Sequence, residues 1–360
     1  MKSFSLNLPI NQVSFGQVST AFLRGFYDRG IEPPLFSIGG TIDLSSQKED
    51  QKFFNWVAKL AQKSYSEHKR SNPTLKLWHF NGGLESLSKE HHLLTFYELD
   101  EPTKSELNVA KSCDRLIFTN NYSKEIFSHF NVDSEVISLP FDRYNFKVTN
   151  KKYFDDDRIV FNLCGKFEKR KHHEKIIKTW AKRFGNDKRY FLQCAVYNSF
   201  LNEEQNKELF ARSVNNVKYY NIHFLGFMPQ NVLYNDYLNS GDIIIAMSGG
   251  EGWGRPEFHS VGLGAHAVTL NAHSYREWAT EENSVLVQPS GKIEAYDGIF
   301  FKKGSEFNQG RIYDFHEDEF IAACEKAIQN YQSNPVNENG LKIQEKFSIE
   351  NSVDRILELL

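Results

Sequence analysis

The stretch from Asp242 to Gly264 constrains this chain more than any other. Asp242-Ile-Ile-Ile-Ala246 is a short apolar run that predicts a strand buried on both faces, as in a parallel sheet. Met247-Ser-Gly-Gly-Glu-Gly-Trp-Gly254 follows, with glycines at 249, 250, 252 and 254. Glycine accepts positive φ and lets a backbone approach a ligand without a Cβ in the way. Pro256 suits the first turn of a helix, where a missing N–H costs nothing. Strand, glycine turn and helix start together aim free N–H groups and the positive end of a helix dipole at an anion. Glu251 sits inside that turn. A carboxylate there repels phosphate, so it is expected to hold something else, such as sugar hydroxyls. An ordinary tight turn would use the same glycines, so the reading depends on what the rest of the chain supplies.

A chain of 360 residues is long enough for two domains. Its net charge of −3 argues against a general polyanion binder. Residues 1–150 carry 17 Lys or Arg against 17 Asp or Glu, so no basic membrane-facing surface is evident there. No apolar run approaches the roughly 20 residues of a transmembrane helix, and Met1 to Pro9 lacks the long apolar core of a secretion leader. Cys113, Cys164, Cys194 and Cys324 show no paired spacing. They read as buried thiols of a cytoplasmic protein, with neither zinc nor disulfides suggested.

Along the chain, strands are expected at 3–8, Pro34–Ile38, Leu75–Phe80, Leu93–Tyr97, Arg115–Thr119 and Val136–Leu139. Val18, Phe22 and Phe26 predict a helix stopped by Gly30, and Phe53, Phe54, Val57 and Leu60 predict another. Gly16 and His79 fall near strand ends, where doubly wound sheets place ligands. Glu98, Asp100 and Glu101 are read as the acidic start of a helix from Thr103 rather than as a general-base cluster. Polar residues 147–157 mark a domain boundary. Arg158–Cys164 opens the second half as a buried strand, followed by Asn221–Phe227, Asp242–Met247, Ala267–Leu270 and Val285–Val287. Residues 289–312 read as irregular, and 317–331 and 338–360 as helical.

Between Lys166 and Arg189 stand ten basic residues against three acids. A solvated helix face over Ile176, Ile177 and Trp180 explains those from Lys175 onward. It does not explain Lys166 to Lys171, which lie in the loop leaving a strand. The predicted fold class is therefore α/β: two doubly wound, Rossmann-like domains facing a cleft. The first spans 1–150 on the acceptor side and the second 151–335, with C-terminal helices over 336–360 that can pack back on the first.

The second half resembles retaining glycosyltransferases of the GT-B fold, in particular family four. Ser248 and Glu251-Gly-Trp-Gly-Arg-Pro256 match that family's Glu-Gly-Phe-Gly-Leu-Pro pattern and its preceding serine. Gly165-Lys166-Phe167, three residues, then Lys171-His172 matches its Gly-Arg-Leu, three residues, Lys-Gly. Gly264, Ala267-Val268, Glu277 and Asn283–Val287 continue the match in order. The first half matches only through Ser14-Phe-Gly16. Glu251-Gly-Trp-Gly254 taken with Tyr275-Arg-Glu-Trp-Ala-Thr280 is also similar to transferases carried by tailed phages. One position departs: the family's second glutamate, which holds the nucleotide ribose, falls on His259, and Glu257 lies on another helical face.

The resemblance implies a retaining, metal-independent hexosyl- or pentosyltransferase that needs no cofactor beyond a nucleotide-diphosphate sugar as donor. It implies that Lys166 and Lys171 hold the diphosphate, that Glu251 holds the donor sugar, and that Gly165, Ser248, Gly249, Gly250, Gly252, Trp253, Gly254 and His259 surround the donor. Gly16 and His79 are the first-half contacts, His79 among the catalytic group. The acceptor stays open: a glycan, a protein or a hydroxymethylated base in DNA. A nucleotide-sugar epimerase or phosphorylase of the same fold, or a catalytically silent sugar- or nucleotide-binding protein, would use the same cradle.

Overall fold

The computed structural model describes residues 3–360; Met1 and Lys2, part of the stretch read above for a leader, lie outside the described residues. The first domain contains β1 (Ser5–Ile10), α1 (Ser14–Asp28), β2 (Leu35–Ile42), α2 (Gln51–Ser66), β3 (Thr74–Leu77), β4 (His91–Thr95), α3 (Lys104–Ser112), β5 (Arg115–Phe118), α4 (Asn121–Ser128) and the two-residue β6 (Glu135–Val136). The second contains β7 (Ile159–Cys164), α5 (His173–Phe184), β8 (Tyr190–Ala195), α6 (Glu203–Ser213), β9 (Ile222–Phe224), α7 (Asn231–Asn239), β10 (Ile243–Ala246), α8 (Arg255–Gly262), β11 (His266–Leu270) and β12 (Val285–Val287). A hairpin, β13 (Gly291–Glu294) and β14 (Arg311–Asp314), then precedes helices α9 (Glu317–Ser333), α10 (Glu338–Leu341), α11 (Ile343–Lys346) and α12 (Ile349–Leu359).

Each domain is a six-stranded parallel sheet, in the orders β2-β1-β3-β4-β5-β6 and β12-β11-β10-β7-β8-β9. The strand order reverses between β1 and β3 in the first sheet and between β7 and β10 in the second. Adjacent loops diverge to opposite faces at such a reversal and leave a crevice beyond the carboxyl ends of the strands. The loops after β7 and β10 are the ones that carry Gly165–Lys171 and Met247–Gly254.

Local chemistry explains the helix starts. Thr103 and Glu106 form a reciprocal capping box on α3, while the acids read above as its start turn elsewhere: Glu98 pairs with Arg170 and Asp100 with Lys292. Asn120 caps α4 by accepting from the Ser123 N–H at 2.8 Å. Asp50 caps α2 and is also paired with the buried Arg24.

Two stretches differ from the sequence expectation. Tyr190–Ala195 and Glu203–Ser213 form β8 and α6, which the charge-focused reading of 166–189 passed over. Residues 289–312 are ordered by the β13–β14 hairpin, whose Ile312 and loop residues Ala295 and Phe301 bury themselves in a first-domain cluster with Phe80, Tyr97, Phe118 and Phe127. That hairpin spans the domains. Asp100 accepts from Lys292 at 2.9 Å and from the Arg311 N–H at 2.7 Å. At the C-terminal end, Ile349 and Val353 of α12 pack on Gly25 of α1, where an added Cβ would come 2.6 Å from both. No helix among the described residues is long and apolar enough to cross a membrane.

Candidate functional site

The two loops at the switch point of the second sheet meet through an ionic cluster. Gly165 ends β7 with φ +108°, and the Lys171 side chain lies across it; a Cβ there would stand 2.9 Å from Lys171 Cε. The chain turns through one 3₁₀ turn at Lys169–Lys171, and His172 takes a left-handed φ of 54° before α5 begins. This brings Lys171 Nζ onto Glu251 Oε1. Arg170 Nη1 lies 3.2 Å from Glu251 Oε2 and also donates to the Gly250 carbonyl. Its other Nη donates to Glu168 at 2.6 Å, and Glu98 of the first domain is 3.4 Å away.

The charges in this cluster are settled by their neighbours. Burial alone would raise the Glu251 carboxyl, but the Arg170 and Lys171 charges hold it well below the ordinary carboxylate range. Burial pulls Lys171 down, yet Glu251 and Glu257 outweigh it and keep the ammonium charged. Glu257, only 3 % exposed, is the opposite case. Burial pushes it up to about 7, against the pull of Lys171. Its Oε1 accepts from the Tyr275 hydroxyl at 3.2 Å, while Oε2 has no partner among the described residues. His273 donates from Nε2 to the Ser248 carbonyl at 2.8 Å, and burial lowers it to about 4.

The glycine turn is built for close contact on several sides. Gly254 has φ +77° at the start of α8, and a Cβ there would strike the Tyr275 ring at 2.3 Å. Gly249 donates to the Arg170 carbonyl and accepts from the Tyr313 N–H, both at 2.8 Å, so its amide is taken. Ser248 Oγ lies 3.3 Å from the Arg170 carbonyl and 3.2 Å from that of Gly250, bracing the turn. The N–H groups from Gly250 to Gly254 make no hydrogen bond among the described residues. Gly250 and Gly252 also admit the first domain. A Cβ on Gly250 would come 2.4 Å from the Glu98 carbonyl oxygen, and one on Gly252 would come 2.6 Å from the Phe96 ring. The side chains of Thr119 and Asn120 donate to the Gly252 carbonyl at 2.7 and 2.8 Å. Glu277 accepts from the N–H and side chain of Asn121 at 2.6 and 3.0 Å.

The other expected site residues divide. Lys166 is at the mouth, 3.4 Å from Glu168 and 3.6 Å above the Phe300 ring, not in contact with Glu251. His79 stands opposite on the first domain. Its imidazole, although partly open to solvent, is lowered by desolvation among its aromatic neighbours and by the Lys166 charge, and it has no hydrogen-bond partner among the described residues. Gly16 is buried in the first turn of α1, where a Cβ would collide with the Asn11 carbonyl at 2.2 Å.

Two expectations need correction. Trp253 points into the core, its ring packed on Phe258 and Phe347 at 5.4 and 5.6 Å, and presents no side chain to the cleft. His259 has no nitrogen to spare for a ribose. Nδ1 donates to the Arg255 carbonyl at 2.7 Å, Nε2 accepts from the Asp142 N–H at 3.2 Å, and the ring is sealed between Phe141 and Phe146. Arg170, Glu98 and Glu257 were missed as site residues. Arg170 was visible as the unexplained basic loop, and Glu98 as one of three acids at a strand end. Nothing in the sequence marked Glu257 as buried beside Lys171.

No protein-family model matches this chain, and no curated protein matches it. Solved structures do. Sucrose-phosphate synthase from Thermosynechococcus elongatus matches with a TM-score of 0.69 and 12% identity, over 100% of this chain and 98% of that one. HepE from Anabaena, in complex with UDP and glucose, matches with a TM-score of 0.66 and 13% identity, over 100% and 99%. An α,α-trehalose-phosphate synthase (UDP-forming) from Burkholderia vietnamiensis matches with a TM-score of 0.62 and 9% identity, over 99% and 96%. The chain has the two-domain α/β fold of these proteins, GT-B.

Proposed function

We propose that this chain is a metal-independent, retaining glycosyltransferase that moves a sugar from a nucleotide-diphosphate sugar to an acceptor hydroxyl, working in the reducing cytoplasm. The observation that carries the reading is the contact of Lys171 and Arg170 with Glu251, made by two loops that meet at the switch point of the second sheet. The neighbours of the same fold include HepE with bound UDP and glucose, which supports a sugar nucleotide as donor.

In this reading Lys171 and Glu251 hold each other until the donor arrives. The β-phosphate then takes the Lys171 ammonium, and sugar hydroxyls donate to Glu251, with Arg170 keeping that carboxylate ionised. As the bond from the anomeric carbon to the phosphate oxygen breaks, negative charge grows on the departing diphosphate. Lys171, Lys166 and the unpaired amides from Gly250 to Gly254 stabilise that charge more than they stabilise the bound donor. The acceptor oxygen bonds the anomeric carbon from the side being vacated, and its proton passes to the departing phosphate. In this reading His79 orients that hydroxyl.

The test is a panel of nucleotide sugars, scored by release of nucleoside diphosphate and by thermal stabilisation, with the anomeric configuration of the product read by NMR. Turnover of one donor with retained configuration is the expected result. Absence of both binding and turnover with every donor would sink the reading, and an inverted product would sink its stereochemical part.

A further inference from the structure

The first domain's wall of the cleft carries a pattern that bears on the acceptor. β1 and β3 flank the switch point of that sheet. Phe15, just past β1, stacks near His79, just past β3, with ring centroids 4.3 Å apart. Phe96, past β4, closes on Phe15 at 4.7 Å, and Trp78 backs both Phe15 and His79 at 6.0 and 5.6 Å. Phe15, Trp78 and Phe96 are half-buried and His79 is exposed, so the cluster keeps an open aromatic face.

The charge around that face is one-sided. The loops leaving β1 to β4, residues 11–13, 43–50, 78–90 and 96–103, contain two Lys, Lys48 and Lys89, against eight acids. Glu98 and Asp100 are paired with Arg170 and Lys292 of the second domain, Glu85 lies 3.5 Å from Lys76 of the first, and Asp43 and Glu101 have no ion-pair partner among the described residues. Of the cations near the aromatic face, Lys166 acts on His79 and Arg255 reaches the Ser14 carbonyl, and both come from the second domain.

We propose that this wall is an acceptor subsite for a neutral sugar ring, with Phe15 and His79 as its stacking face. The proposal rests on the transferase reading above for its purpose but not for its binding. Aromatic faces receive sugar rings and nucleobases alike, so charge decides between them. A nucleic acid or other polyanion binds chiefly by neutralising its charges with Lys and Arg, and loses affinity steeply with salt. Here it would meet a first-domain wall whose loops carry mostly acids. A pyranose offers an apolar C–H face to an aromatic ring and hydroxyls to amides around it, and it carries no charge to neutralise.

Saturation-transfer NMR on the full chain tests this without any donor. The probes are neutral gluco- and galacto-oligosaccharides, an acidic polysaccharide, and single-stranded and duplex oligonucleotides containing hydroxymethylcytosine, with UDP as a control for the other half of the cleft. A neutral sugar should bind with ring C–H protons saturated and affinity nearly unchanged between low and moderate salt. Phe15→Ala should weaken it by roughly tenfold, and Phe15→Tyr should keep it. Neutral-sugar binding without turnover of any nucleotide sugar would leave this subsite standing and remove the transferase reading. UDP binding with no neutral sugar bound, salt-sensitive preference for an oligonucleotide, or sugar affinity unchanged in a folded Phe15→Ala would overturn the subsite.

Discussion

Lys171 and Glu251 are paired inside the protein, 8 % and 6 % exposed, across 80 residues of sequence. Each is the other's counter-charge, and Arg170 adds a second cation to the same carboxylate. Arg170 is shared between Glu251 and Glu168, so Lys171, whose ammonium pairs with Glu251, is the cation of this pair that an incoming diphosphate would draw away.

Removing the Lys171 ammonium should therefore damage catalysis more than binding. Lys171→Met keeps the aliphatic chain across Gly165 and deletes the charge. A drop in kcat of about 10²–10³ is expected, the scale of losing one preorganised contact to a developing anion. Steady-state kinetics with the best donor would check it, and a change confined to KM would contradict the assignment.

Arg170 is expected to act on stability first. Arg170→Ala leaves Glu168, whose side chain is 2 % exposed, with Lys166 alone at 3.4 Å, and leaves Glu251 with one cation. Breaking a buried pair from one side costs about 3–5 kcal/mol. Chemical denaturation should show a loss of that size, and Arg170→Lys should recover only part of it, because an ammonium lacks the two-pronged geometry.

Glu257 makes stability fall as pH rises. Its folded pKa, about 7, lies above the ordinary carboxyl value, so folding favours the protonated form. That contribution is fully present below about pH 4.5 and is lost as pH climbs to about 7. Glu257→Gln cannot ionise and should flatten the decline, by about 1–3 kcal/mol at pH 8. Melting temperatures of both proteins from pH 5 to 8 would reveal it; parallel curves would refute it.

Buried histidines act in the opposite direction. His273 and His173 are lowered to about 4 and about 3 by burial, from 6.5. Their contribution is whole above pH 6.5 and disappears as pH falls through 4 toward 3, because the unfolded chain takes up protons that the folded one refuses. His273→Gln should be measurably less acid-sensitive than the wild type in urea melts at pH 4.5 and 7.

Gly252→Ala tests how closely the domains must approach. The new Cβ would lie 2.6 Å from the Phe96 ring, so the first domain must retreat. A loss of about 1–3 kcal/mol is expected, as for overpacking, together with a raised KM for the donor. Unchanged kinetics would mean that the contact between Gly252 and Phe96 is dispensable.

Much of the architecture was legible in the chain. The run Ile243–Ala246, the glycine turn and Pro256 carry their geometry locally, through sterics and hydrogen-bonding capacity that hold wherever the segment lies. The same is true of the unexplained basic loop at Lys166–Lys171. The roles of Arg170, Glu98 and Glu257 were not legible, nor was the engagement of His259 with Asp142. Those depend on which distant groups share one low-dielectric space, and charge and hydrogen-bond state are set by neighbours, not by residue type. Identical glycines at 250 and 252 could serve a ligand, a neighbouring domain or both, and only the packing of Glu98 and Phe96 against them shows that a domain is there.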